Sequence, residues 1–167
     1  MRKILVFIFL FLFLSANAQL QRTILGNNLG VTKKAQVIQN MKNKGKRAKT
    51  VESNLIIVEN VEFGGKTWPS VYFRFYNQVL FHVYFQDIGI DIPREKLDLD
   101  WTNLSSALKR KYSIYMNEIS SENLEFDDSK TFLCAKYNYY QGYKVISLTY
   151  FDKKLMMQEI QSGEDEL

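Results

Sequence analysis

The stretch from Phe63 to Phe85, FGGKTWPSVYFRFYNQVLFHVYF, constrains the fold more than any other. Two runs dense in Val, Tyr and Phe, residue types suited to a pleated, half-buried surface, meet at Asn77-Gln78 and follow a Gly64-Gly65 turn. This pattern predicts an antiparallel hairpin. Side chains alternate across a strand, which places Val71, Phe73 and Phe75 on one side with Phe81, Val83 and Phe85. Tyr72, Arg74 and Tyr76 fall on the other side with His82 and Tyr84. The first set is core, and the second is an amphipathic face.

Arg2 and Lys3 precede an apolar run from Ile4 to Leu14, and Ser15-Ala16-Asn17-Ala18 follows with the small residues a signal peptidase reads. The run falls far short of the roughly 20 residues that span a bilayer, and no later segment approaches that length. The expectation is an exported protein, periplasmic or secreted, cleaved between Ala18 and Gln19 and left without a transmembrane span. Gln19 stands where a lipoprotein would carry cysteine. Residues 19–161 then suffice for one domain with a substantial core. Losing Arg2 and Lys3 lowers the formal charge from +4 to +2, so net charge says little about partners. Cys134 stands alone, which excludes an intramolecular disulfide and leaves stability to packing. Burial as a small hydrophobe is its expected fate.

Along the chain, residues 19 to 31 hold Gly26-Asn27-Asn28 and Gly30 and read as a flexible entry. Thr32 is placed to cap a helix over about 33–44 that buries Val37, Ile38 and Met41 and stops at Gly45. A connecting stretch leads to a strand over Leu55 to Phe63 and then to the hairpin. Gly89, Pro93 and four aspartates mark residues 87–100 as a linker. Trp101, Leu104, Ala107, Leu108 and Tyr112 recur at helical spacing, with Asp98 or Asp100 placed to cap. An acidic polar stretch from Asn117 to Asp128 precedes strands near Lys130 to Tyr140, Tyr143 to Phe151 and Lys154 to Gln161. Residues 162–167 read as a disordered acidic tail.

The segments VYFRFYNQVLF and ISLTYFDKKLM align, setting Val71, Phe73 and Phe75 opposite Ile146, Leu148 and Tyr150. The expected architecture is therefore α+β: an antiparallel sheet of two helix-plus-three-strand repeats, about 32–86 and 101–161, with the helices on one face. The entry LGNNLGVT from Leu25 to Thr32, a Lys-rich helix ending in Lys-x-Gly, the Phe-Gly-Gly turn and the Val-x-Phe-x-Phe strand resemble small exported bacterial domains with a β-lactamase-inhibitor-protein-like fold. The resemblance spans most of residues 25 to 160. It implies a protein-binding or envelope-scaffolding role, and no inhibitory residue can be carried over by position.

Little in the chain carries chemistry. His82 is the sole histidine and no Gly-x-Ser-x-Gly elbow accompanies it, so a poised nucleophile and base are not in view. Gly64-Gly65-Lys66-Thr67 lacks the first glycine of a phosphate loop. Asp98 and Asp100 lack the glycine and glutamate of a calcium loop, and one Cys with one His cannot close a zinc site. No metal, cofactor or catalytic residue is assigned. Seven Lys or Arg and no acid lie between Lys33 and Lys49, and Lys42, Lys44, Lys46, Arg47 and Lys49 form a basic patch. Such a patch could meet an anionic envelope surface, and export disfavours nucleic acid. The function read from the sequence is a non-enzymatic exported binding or scaffolding module, meeting a protein partner through Tyr72, Arg74, Tyr76, His82 and Tyr84. The alternative is a small-molecule or lipid carrier with a cavity between sheet and helices.

Overall fold

The computed structural model describes residues 19–90 and 92–164. The segment expected to be a signal peptide and the last three residues of the expected tail lie outside the described residues. After a short ladder of β1 (Thr23–Ile24) with β2 (Asn27–Asn28) come α1 (Lys34–Asn43), β3 (Ala48–Glu52), β4 (Leu55–Phe63), β5 (Lys66–Tyr76) and β6 (Val79–Ile88). Then follow α2 (Arg94–Tyr112), a single 3-10 turn at Ser113–Tyr115, β7 (Met116–Ser120), β8 (Asn123–Asp127), β9 (Thr131–Tyr140), β10 (Tyr143–Asp152) and α3 (Lys153–Glu164). The fold is α+β, with β3 to β10 in one sheet ordered β3-β4-β5-β6-β10-β9-β8-β7. Every neighbouring pair in it is antiparallel.

Local turn chemistry sets the hairpins. Gly64-Gly65, Asn77-Gln78 and Gln141-Gly142 each join strands with two residues at positive φ, the backbone whose twist matches flanking strands. The expected hairpin forms at Asn77-Gln78, with one correction to its register. Arg74 lies opposite His82 but Phe75 lies opposite Leu80, so a bulge inserts Phe81 as an extra residue. Leu80 takes the core position expected for Phe81, and Phe81 is buried outside the core cluster.

The inner face of the sheet carries that core. Val71, Phe73 and Phe75 of β5, Val83 and Phe85 of β6, and Ile146, Leu148 and Tyr150 of β10 are buried together. Val37 and Met41 of α1 and Leu97, Trp101, Leu108 and Tyr112 of α2 join them, while α3 contributes no residue to this cluster. Instead α3 packs against β6 and β10.

Several expectations change. Thr32 caps no helix: Lys33 stands at the N-cap and the Thr32 hydroxyl accepts from the Asn28 amide at 2.7 Å, while Ile38 of the expected apolar stripe is exposed. The entry is not loose: Leu20, Ile24 and Leu29 are fully buried, and Arg22 donates to Leu29, Lys130, Thr131 and Asp152. The connecting stretch contains β3. The linker is shorter than expected, because β6 runs to Ile88 and α2 begins at Arg94, directly after Pro93, whose fixed φ suits a helix start. Asp98 and Asp100 therefore sit inside α2 and cap nothing; they accept bonds from Tyr137 Oη at 2.5 Å and Lys66 Nζ at 2.7 Å. The polar stretch 117–128 is a hairpin, β7 with β8, in which Leu124 and Phe126 point to the core and alternate with Glu125. Finally, Lys154 to Gln161 is helix. Asp152 accepts a bond from the Leu155 amide at 2.9 Å, and the Lys, Leu, Met, Gln and Glu that follow are strong helix formers. The helix runs to Glu164, so the first three residues assigned to the tail are its last turn.

The aligned hairpins consequently part. Asp152 leads into α3 and not into a returning strand, and the sheet has eight strands where six were expected. Phe73 and Leu148 both lie in the core, but the residue facing Leu148 across the central β6–β10 seam is Phe85.

Candidate functional site

The outer face of the sheet, turned away from the core cluster, is where the register gathers polar and aromatic side chains. Cross-strand pairing runs Tyr72, Tyr84, Thr149, Cys134 and Glu125 in one row, and Arg74, His82, Phe151 and Phe132 in the next. A third row holds Ser70, Gln86, Ser147 and Lys136. Between them lies an open trough of about 570 Å³ bounded by Tyr84, Gln86, Lys136, Tyr140, Thr149 and Phe151.

Of the residues expected on this face, Tyr72, Arg74, His82 and Tyr84 are brought together. The rings of Tyr72 and Tyr84 lie 5.6 Å apart, and Tyr72 Oη donates to Gln86 at 3.3 Å. Only His82 and Tyr84 of the expected residues line the trough; Tyr72 and Arg74 lie beside it on β5, and Tyr76 stands further off, paired with Val79 at the turn beyond the bulge. The half contributed by β9 and β10 was not expected at this face, because it joins β6 only through a pairing some sixty residues away, Leu148 to Phe85. The alternation of Lys136, Asn138 and Tyr140 against buried Ala135 and Tyr137 was the trace that could have found it.

His82 stacks on Phe151 with ring centroids 4.1 Å apart and planes 18° off parallel. Neither ring nitrogen has a hydrogen-bond partner among the described residues, and both are buried. Burial, reinforced by the charge of Arg74, lowers its pKa to about 3. The imidazole is therefore neutral at ordinary pH and behaves as an aromatic plate. The linkage has a defined sign. A folded pKa below the ordinary 6.5 gives stability that is complete above pH 6.5 and is lost as pH falls toward 3. His82→Phe, which keeps the ring stack, is expected to remove this part of the acid sensitivity, worth about 2 kcal/mol by pH 5. Urea midpoints of both proteins between pH 7 and 4.5 check it, and parallel curves would refute it.

Cys134 is buried as expected, with Sγ 3.6 Å from Asn123 Oδ1. Burial pushes its thiol up to about 11, opposed by Lys136 and assisted by Glu125, so it is not a thiolate at neutral pH.

The basic residues sit around the end of α1 and the start of β3. Lys46 donates to the Asn60 carbonyl at 2.6 Å and Lys49 pairs with Glu59 at 2.9 Å, so two of the five cations have partners, while Lys42, Lys44 and Arg47 are exposed. Among the described residues no group of His, Cys, Asp or Glu is arranged to hold a metal ion, and no helix is long and apolar enough to cross a membrane.

No family model, curated protein or solved structure matches the chain.

Proposed function

We propose that this chain is an exported, non-enzymatic module that binds a protein partner on the outer face of its sheet. The observation that carries this reading is the trough itself: tyrosines, amides and hydroxyls line an open concavity on rigid central strands. Tyrosine offers broad contact area with a polar tip that keeps a surface soluble when unoccupied. A neutral, stacked His82 and a protonated Cys134 support the non-enzymatic part, since neither is poised as base or nucleophile. The carrier alternative has less support, because Trp68, Phe73, Phe85, Trp101, Tyr112 and Phe126 occupy the layer between sheet and helices. The exposed Lys42, Lys44 and Arg47 remain candidates for contact with an anionic envelope surface.

We also infer a tandem origin, in which each half is one helix followed by a four-stranded meander. Its support is the strand order, in which β3 to β6 and β7 to β10 run inward from opposite edges to meet at β6 and β10. Both outer hairpins add to it, with a bulge just before the turn in each.

Photo-crosslinking in the cells that make the protein tests the binding reading. A benzophenone side chain at Tyr84 is expected to trap a discrete partner, whereas one at exposed Ile114 is not, and the recovered chain should begin at Gln19 by intact mass. Equal trapping from both positions, or none from Tyr84, would overturn it.

A further inference from the structure

On the four central strands, the charged side chains of the outer face are Arg74 and Lys136, both cationic. Among the described residues, neither takes part in a hydrogen bond or an ion pair, and Arg74 Nε is buried without a partner. The cross-strand neighbours of Arg74 are Leu55 and His82, neither of them an acid. Glu125, on the trough wall, sits diagonal to Lys136, yet they form no ion pair. A half-buried guanidinium without a carboxylate is costly, and its planar fork matches a carboxylate with two parallel hydrogen bonds. Both cations therefore face outward with their charge unanswered.

The spacing constrains what answers it. Arg74 on β5 and Lys136 on β9 are three strands apart and four residues offset along the strands, about 19 Å by ordinary sheet spacings. Roughly six residues of extended peptide cover that distance. The path between the cations crosses β6 between His82 and Tyr84 and β10 between Thr149 and Ser147, so it offers aromatic rings first and hydroxyls after them to an extended peptide. A flat lipid surface would not reach a guanidinium whose Nε is buried.

We propose that the partner's contact segment is an extended acidic peptide, with one carboxylate seated on Arg74 and a second, about six residues away, on Lys136. This deepens the binding reading above and rests on it. The test uses the mature chain and a library of fluorescent eight-residue peptides carrying glutamates at the first and seventh positions, read by anisotropy. The tightest members are expected to need both glutamates, to weaken with salt, and to lose tenfold or more in affinity for Arg74→Gln. Lys136→Glu, a change at an exposed position that leaves the fold intact, should cost a similar factor, and Lys44→Gln should cost nothing. Absence of peptide binding, or binding indifferent to both variants, would overturn the proposal. So would Arg74-dependent binding of a polyuronate or of anionic vesicles in place of peptides. Crosslinking from Tyr84 to a partner without any acidic preference would sink this inference and leave the binding reading standing, whereas no crosslink at all would remove the reading beneath it.

Discussion

Lys66→Ala is expected to lower the free energy of unfolding by about 3 to 5 kcal/mol. The reason is the company its ammonium keeps. Asp87, only 1 % exposed, accepts a bond from Lys66 Nζ at 2.5 Å through Oδ2, while its Oδ1 is buried without a partner. Asp100 of α2 takes a second bond at 2.7 Å, and Trp68 lies beneath the cation at 5.6 Å. Removing the lysine leaves Asp87 as an uncompensated charge in the layer between sheet and helix. Replacing the group as a set, Lys66→Met with Asp87→Leu and Asp100→Asn, should recover much of the loss, because apolar side chains carry no desolvation cost there. Burial alone would depress the lysine pKa, but the bonds to Asp100 and Asp87 outweigh it and hold the value above 10.5. The associated stability is therefore complete below pH 10.5 and is lost as pH rises through the raised value. Urea titrations at pH 8 and above pH 10.5 measure both effects, and a loss under 1 kcal/mol at pH 8 would rule out this account.

Phe85→Ala should cost about 4 kcal/mol through lost burial and the cavity left behind. Its ring is fully buried, stacks on Phe63 at 4.7 Å, meets Trp68 at 5.3 Å and Tyr150 at 6.4 Å, and faces Leu148 across the central seam. So many large partners cannot all relax into the vacated space. Lys42→Ala, on the exposed side of α1, should stay within about 0.5 kcal/mol. A drop at Phe85 no larger than that at Lys42 would mean that the seam is not the centre of the core.

What the sequence made legible was local. The Asn77-Gln78 turn, the bounds of β4 and the division of β5 into core and outer residues follow from alternation and turn chemistry, which depend on neighbours along the chain. The errors arose where a distant partner or a polar surface intervened. Laying ISLTYFDKKLM on VYFRFYNQVLF carried a strand past Asp152, although the residues after it favour a helix and Asp152 caps one. Phe81 kept its expected side only until the bulge moved Leu80 into its place. β7 and β8 were masked because their outward positions are Asn, Glu and Asp, which read as loop when the inward Leu124 and Phe126 are not weighed alone. Half of the candidate site was out of reach for a related reason: Tyr84 and Thr149 become neighbours only once β10 pairs with β6.

That pairing also governs the order in which the molecule can be completed. As the chain emerges from its N-terminal end, β3 to β6 can assemble as a meander, but β6 then stands as an open edge with Val83 and Phe85 uncovered on one side. Its hydrogen-bonding partner is β10, the final strand, and Asp152, which receives Arg22, lies at that strand's very end. A half-finished chain therefore displays an unpaired, apolar strand for as long as the remainder takes to arrive, the condition under which chains pair with one another. Such a chain gains from keeping β6 away from other chains until its last strand is available to close the seam.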